Sequence, residues 1–548
     1  MNIRVDLQYL LARHAADTPE RTAIVWRDTR LSFAELERRA NRLARILRAH
    51  GVKREVLVAL YMRRSAPAVV ALLAVLKAGG AYLPLDASFP PERVVAICSE
   101  ARVSLVLAEA VEASALDMAA VPVLDLTAYE AEVAAAPDSA PPVCGKPSDL
   151  ALVIYTSGST GTPKGVEITQ RSLASNVLFW EETQGLSRMG ALAQCAFFSF
   201  AVFQSDVLRA LCLGLTLVIC PEDLLLSPRL LIDLMRRERV VFAELVPSLA
   251  RALTAYCRER AERLDFIRLL VISADRWYVR EHAELASLLA PDARLIHVYG
   301  LSETTFDTTW FEGQPDQCDP HELMPIGRPF PGMRVHLLDE AMRPVAPGEP
   351  GELWVGGLGV ARGYRNSPDL TAQRFVPSPF VAGDRLYRTG DLARALPGGE
   401  LTLLGRQDQQ IKVRGFRVEP GEIEAVIETF PGIRQAVVLP GDRSPAGEVR
   451  LIAYVAAPCL PDPMALRTFL AARLPEYMLP AVFVPMLALP LTPSGRSTAA
   501  RCRSICRLRQ RRWPRRPRRS QARWWVVSCA ARSALRRYPP VNACASAA

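Results

Sequence analysis

Acids and lysine vanish from the last stretch of this chain. From Ser497 onward there are 14 arginines and no Lys, Asp or Glu. The whole 548-residue chain carries a formal net charge of +10, so removing those 14 leaves the first 496 residues at −4. A mildly acidic body argues against the broad basic face that nucleic acid or an acidic membrane surface would need; the basicity belongs to the tail. Paired cysteines are missing too. Four of the 12 cysteines (Cys502, Cys506, Cys529, Cys544) lie in the tail, and the eight from Cys98 to Cys459 form no C-x-x-C pair. With no His-rich partner segment either, this argues against structural zinc and a disulfide framework and fits a reducing, cytoplasmic setting. Long apolar runs are lacking as well. The run over residues 66–85 is cut by Lys77 and Gly79-Gly80, and the opening MNIRVDLQYLLARHAAD holds Asp6 and no apolar core. Neither a membrane span nor a signal peptide is expected.

What is present is a chain 50% apolar, ample for large cores, with a length that implies roughly two to four domains. VLVAL (56–60) and AYLPLD (81–86) read as short strands. Between them, SAPAVVALLAVLKAGG predicts a helix capped by Ser65 and stopped by the glycine pair. FAELERRANRLARIL puts Leu36, Ala40, Leu43 and Leu47 on one helical stripe. Alternating strands and helices predict an α/β body of layered sheets, largely parallel. After about residue 405 the units shorten. IKVRGFRV reads as a strand or hairpin, PGEIEAVIETF as a helix with Pro420 in its first turn, RQAVVLP and VRLIAYVAA as strands, and PMALRTFLAARL as a helix. This is the pattern of a small α+β domain. No internal repeat is evident.

The strongest local signal is LALVIYTSGSTGTPKGVEIT, residues 150–169. An apolar strand enters a loop of Thr156, Ser157, Gly158, Ser159, Thr160 and Gly161, closed by Lys164 and Gly165. Glycines let the backbone approach an anion, and hydroxyls with backbone N–H groups can wrap phosphate oxygens. It is not a Walker A loop, because Gly158, Gly161 and Lys164 are three apart. The other reading is a flexible surface loop.

That loop resembles the phosphate loop of the adenylate-forming enzymes, the superfamily of acyl-CoA synthetases, luciferases and nonribosomal peptide synthetase adenylation domains. Further motifs follow in that family's order: LSFAEL at 31, LKAGGAYLPLD at 76, VYGLSETT at 298, GELWVGGLGVARGY at 351, YRTGDL at 387, GRQDQQIKVRGFRVEPGEIE at 405 and LPEYMLP at 474. The resemblance covers residues 1–496, and the motifs at 76 and 405 resemble the peptide synthetase branch more than the CoA ligases. It implies a large N-terminal domain of layered mixed sheets and helices (1–405) with a smaller, mobile α+β domain (406–496), followed by a non-homologous tail (497–548) expected to be disordered. It also implies a two-step ligase. A carboxylate attacks the α-phosphorus of ATP to give acyl-AMP and pyrophosphate, and the phosphopantetheine thiol of a carrier protein, acting in trans, then displaces AMP.

The roles implied by resemblance are specific. Lys164 closes the loop on phosphate, and Glu303 is the carboxylate that holds Mg²⁺ on ATP. Tyr299 is placed to stack on adenine. Asp391 accepts the ribose hydroxyls, or else merely caps a turn. Arg406 contacts the nucleotide, Asp408 is the hinge, and Gly415 lies where the thiol threads in. The acid pocket carried across from the family is Ala201, Val202, Ser205, Glu244, Val271, Ser273, Val298, Phe306 and Asp307, unless the alignment slips in this gap-prone region. Ala201 stands where amino-acid-activating relatives have the Asp that pairs with the α-ammonium, so that group is expected to be absent or held elsewhere, with Asp206 a weak candidate. Two acids, Glu244 and Asp307, in a small apolar cavity point to a guest with a distal amine or guanidine.

The family's closing P-L-T-x-N-G-K motif becomes PLTPSGR, which puts Arg496 where the catalytic lysine is expected. Arginine keeps the charge but not the compact ammonium. The composition breaks at the same point. A frame-shifted read-through of GC-rich coding DNA accounts for both; a basic nucleic-acid arm is the other reading. The six histidines are never adjacent, so an H-H-x-x-x-D condensation motif is absent, and no carrier-type serine segment is expected in the tail. A stand-alone acyl-CoA ligase and an inactive adenylate-binding remnant stay open as alternatives.

Overall fold

The computed structural model describes residues 7–118, 121–142, 145–158, 162–315, 319–408, 410–413, 415–443, 449–457, 462–486 and 489. The seven-stranded sheet has a parallel centre, with Ala81–Asp86, Leu57–Met62, Leu105–Ala108 and Val123–Asp125 in spatial sequence. The nine-stranded sheet runs parallel from Arg294–Tyr299 through Leu269–Ile272, Val240–Leu245, Ala191–Gln194 and Thr216–Ile219 to Thr22–Trp26. One core joins both sheets: Val58, Leu60 and Tyr82 of the first pack in the same cluster as Leu192, Leu217 and Phe242 of the second. Each strand of such a buried layer is apolar on both faces, which is why Leu57–Met62 and Ala81–Asp86 are buried throughout.

Helices fill the space between the sheets. Phe33–Ala49 buries the stripe Leu36, Ala40, Leu43 and Leu47 that the spacing predicts. Ala66–Ala78 is buried nearly all round; Ser65 Oγ accepts from the Ala68 N–H, and Gly79 ends the helix at φ 90°. A side chain at that left-handed position would be strained. A third sheet is antiparallel, built on Gly351–Gly357 and Arg385–Ala395.

After Arg406 the elements build a core of their own, with Val413, Val418, Ile423, Leu451, Leu466 and Leu470. A hairpin pairs Ile411–Val413 with Phe416–Val418, and three strands (Gln435–Arg443, Val449–Ala456, Val482–Met486) accompany the helices Pro420–Glu428 and Pro463–Ala471. Among the described residues no helix is long and apolar enough to cross a membrane.

Candidate active site

Three adjacent parallel strands deliver side chains at their carboxyl ends: Glu244 on Val240–Leu245, Ser273 just after Leu269–Ile272, and Val298 with Tyr299 on Arg294–Tyr299. Crevices at such ends are where open α/β sheets take ligands. The glycine–hydroxyl loop starts at the same place, where Thr156 and Ser157 line a cavity with Glu244, Ser273 and Val298. It links Leu150–Thr156 to Lys164–Thr169 as an antiparallel pair, with Thr156 opposite Lys164. Ser159, Thr160 and Gly161 lie outside the described residues. Gly158 passes so close to Thr162 that a Cβ there would meet the Thr162 carbonyl oxygen at 1.7 Å, so only glycine fits.

Lys164 Nζ lies 3.6 Å from the fully buried Glu303 carboxylate. Tyr364 donates its hydroxyl to the same carboxylate at 2.8 Å. From the small C-terminal unit, Arg417 Nη1 donates to both Glu303 oxygens at 2.9 Å. Burial alone would raise the Glu303 pKa, but Arg417 and Lys164 outweigh it and hold it at about 2. Burial pulls Lys164 the other way, to about 8, and Arg417 adds repulsion. Among the described residues no group of three or more His, Cys, Asp or Glu could hold a metal; Glu303 is the carboxylate beside Lys164 that a divalent ion would use. That fits Mg²⁺, which keeps waters and substrate phosphates as most of its ligands. Arg417 holds the carboxylate that such an ion would use.

Beside this cluster is a cavity of about 720 Å³ lined by Tyr299, Asp391, Arg406, Asp408 and Lys412. Asp391 accepts from the Tyr299 hydroxyl at 2.6 Å and from Arg406 at 2.8 Å. Arg406 also grips Asp408 through two nitrogens, at 2.7 and 2.8 Å. Thus the expected nucleotide residues Tyr299, Asp391 and Arg406 and the expected hinge Asp408 form one bonded chain.

A second cavity, about 130 Å³, brings together Ala201, Val202, Glu244, Ser273, Val298, Phe306 and Asp307. Left-handed backbone at Thr305 (φ 54°) and Phe306 (φ 79°) sets the direction of Phe306 and Asp307. The two other expected pocket residues do not reach the cavity. Val271 is in the core, and Ser205 is buried with its hydroxyl on Asn176. Asp206 is fully buried on Arg209 and does not line the cavity either, so it cannot hold a guest's ammonium. The expectation that both Glu244 and Asp307 await a guest cation also needs correcting. Arg209, 0% exposed, donates to Glu244 at 2.5 Å and supplies a cation from within the chain.

Gly415 (φ 84°) lines the acid cavity, with a Cβ there 3.1 Å from Val246. The hairpin that carries it is seated on the large unit. Ser157 Oγ donates to the Arg417 carbonyl at 2.7 Å and accepts from the Glu419 N–H at 3.0 Å, and Glu422 pairs with Arg93 at 2.7 Å. Sequence reading assigned no role to Arg209, Tyr364, Lys412 or Arg417. Arg417 lies inside the long motif at 405, and its place two residues beyond Gly415 was the available signal. Arg496 lies outside the described residues.

Comparison with known proteins agrees with this geometry. The family model described as AMP-binding enzyme matches residues 11–365. The chain is 37% identical over 493 residues to bacitracin synthase 2 of Bacillus licheniformis, covering 89% of this chain and 19% of that protein. It is 38% identical over 493 residues to tyrocidine synthase 3 of Brevibacillus parabrevis, covering 89% of this chain and 8% of that one. It therefore spans only a small part of such relatives. Among solved structures, an artificially fused adenylation–PCP di-domain, NpsA-ThdA from Klebsiella oxytoca, superposes with a TM-score of 0.77 at 25% identity, covering 87% of this chain and 93% of that one. A buried carboxylate met by a loop lysine, beside a nucleotide-sized cavity, in a chain matched over these residues, makes this protein a member of the AMP-binding enzyme family of adenylate-forming ligases, close to the adenylation units of nonribosomal peptide synthetases.

Proposed function

We propose that the chain activates a small amino or other carboxylic acid with ATP as the acyl-AMP and passes the acyl group to the phosphopantetheine thiol of a carrier protein, as one unit of nonribosomal peptide synthesis. The observation that carries the reading is the approach of Lys164 to Glu303 at 3.6 Å, with Tyr299 and Asp391 bonded beside them and an acid-lined cavity adjoining. In the first step a carboxylate oxygen bonds to the α-phosphorus of ATP and the bond to the pyrophosphate oxygen breaks. Two anions approach, so cationic side chains fixed in advance carry most of the acceleration. Lys164 serves the phosphates. Glu303 would hold Mg²⁺, which would add charge neutralisation at the phosphates. Asp391 and Arg406 orient the nucleoside. In the second step a thiol sulfur bonds to the acyl carbon and AMP leaves. The seating of the Gly415 hairpin at the acid cavity supports this transfer stage, and the ATP-bound stage requires the small unit to turn about Asp408.

Pyrophosphate exchange across a panel of acids tests the first step, with AMP titration measured alongside. Exchange with at least one acid and saturable AMP binding are expected; absence of AMP binding overturns the reading. Comparing coenzyme A with a phosphopantetheinylated carrier protein as acceptor separates this proposal from a stand-alone acyl-CoA ligase.

A further inference from the structure

An internal ion cluster reaches the acid cavity through Glu244 and Asp307. Arg209 lies on the buried helix Ala201–Cys212, its guanidinium 4.5 Å from the Trp180 ring centroid and 5.5 Å from that of Phe242. Its Nη2 donates to Asp206 at 2.7 Å and to Glu244 at 2.5 Å. Glu244 is then satisfied on both oxygens, because Ser273 Oγ donates to the other at 2.5 Å. Asp307 is treated differently. Its Oδ2 accepts from Trp180 Nε1 at 2.8 Å, Asn176 Nδ2 at 3.1 Å and Ser205 Oγ at 3.4 Å, and Arg209 approaches no nearer than 3.9 Å. Its Oδ1 takes no donor among the described residues, and Asp307 lines the cavity.

The rest of the lining offers an ammonium no second open carboxylate. Ala201, Val202, Val298 and Phe306 are apolar, Ser199, Ser302 and Gln410 offer only neutral acceptors, and the lining also carries the cations Lys412, Arg417 and Arg93. A carboxylate guest is drawn toward those cations, and of the two acids that line the cavity only Asp307 keeps an oxygen open. We propose that Asp307 is the single ammonium anchor of the acid pocket, and that Arg209 makes it single by permanently occupying Glu244. The substrate class is a short acid bearing one ammonium placed beyond its α-carbon, an ω-amino acid. An α,ω-diamino acid would bring a second ammonium for which no second open carboxylate remains in the cavity, which is costly for a buried ion. Arg209 is thus a specificity-determining residue that need not touch the substrate.

This inference rests on the adenylation reading, and its test separates the two. Non-hydrolysable acyl sulfamoyl adenosines carrying pentanoyl, 5-aminopentanoyl and ornithyl groups are titrated into the full chain, with AMP as a control, so no turnover is needed. The 5-aminopentanoyl compound is expected to bind about tenfold or more tighter than the pentanoyl one. Asp307→Asn should erase that ratio, whereas Glu244→Gln should change it by less than about threefold, because Glu244 is already paired. Arg209→Met frees Glu244, and the ornithyl compound should then gain about tenfold over the 5-aminopentanoyl one. If Arg209→Met does not fold, the Asp307 and Glu244 variants decide alone. Normal AMP binding with no ammonium preference, or a ratio lost through Glu244→Gln and kept in Asp307→Asn, overturns the assignment and spares the adenylation reading. Loss of AMP binding overturns both.

Discussion

Two buried ion clusters, one at Glu303 and one at Arg209, have opposite charge balances. At Glu303, one carboxylate meets two cations, Lys164 at 3.6 Å and Arg417 at 2.9 Å. At Arg209, one cation meets three carboxylates, Asp206, Glu244 and Asp307. The first cluster has surplus positive charge where phosphates and a carboxylate must gather. The second has surplus negative charge where an ammonium could rest. A zwitterionic guest would therefore be aligned by the two surpluses before any bond changes, since Arg417 of the first cluster and Glu244 and Asp307 of the second line the acid cavity. The clusters also differ in what their surplus does to protonation. Two cations hold Glu303 at about 2 against the pull of burial, whereas burial outweighs the single Arg209 and raises both Asp206 and Glu244.

The harshest way to break the comparison is Arg209→Ala. It strands three carboxylates, two of them without any exposed surface, and should cost about 3–5 kcal/mol of stability, read as a fall in the urea midpoint. The matching change in the other cluster acts in the opposite sense on stability. Lys164→Met removes a buried ammonium that Arg417 repels, so the urea midpoint should hold or rise, while pyrophosphate exchange falls by about a hundredfold or more. A large loss of stability in Lys164→Met would show that the lysine supports the fold rather than the chemistry.

Acidity sharpens the same contrast. Lys164 has a folded pKa of about 8 against an ordinary 10.5, so between those values the unfolded chain binds a proton that the folded chain does not, and its contribution to stability rises with pH. Nucleotide affinity should move the other way and fall by up to about tenfold as pH passes 8 and the ammonium is lost. Lys164→Met should flatten both trends. Glu303, at about 2 against 4.5, gives stability that is full above 4.5 and lost as pH falls toward 2.

The first cluster was largely legible in the sequence and the second was not. Lys164 closes a loop whose glycines and hydroxyls declare an anion site locally, and Glu303 was assigned through the resemblance of VYGLSETT to the adenylate-forming enzymes. The Phe33–Ala49 stripe and the Ser65 cap were readable for the same reason, since their partners are three or four residues away. Arg209 lies in FQSDVLRAL, where a lone arginine looks like a solvated helix face. Its partner Glu244 is 35 residues distant on the strand Val240–Leu245, and only the tertiary fold brings that helix and that strand together. Arg417 was hidden likewise, 114 residues from Glu303 and across the boundary between units. Long-range charge pairing is what sequence periodicity does not encode.

Arg417 supplies the gentlest test. It fills both oxygens of the carboxylate that a divalent ion would use, so as long as the hairpin is seated it competes with Mg²⁺. Arg417→Met keeps the stem and removes the charge. Titration with Mg²⁺ and ATP should then show about three- to tenfold tighter binding, the gain expected when a competing state loses a partly buried charge-assisted hydrogen bond. Acyl transfer to a carrier should weaken in the same variant, because the hairpin loses its anchor on Glu303. Weaker ATP binding with unchanged transfer would mean that Arg417 serves the phosphates directly, and that the positive surplus beside Glu303 comes from two equivalent cations rather than one resident and one exchanging.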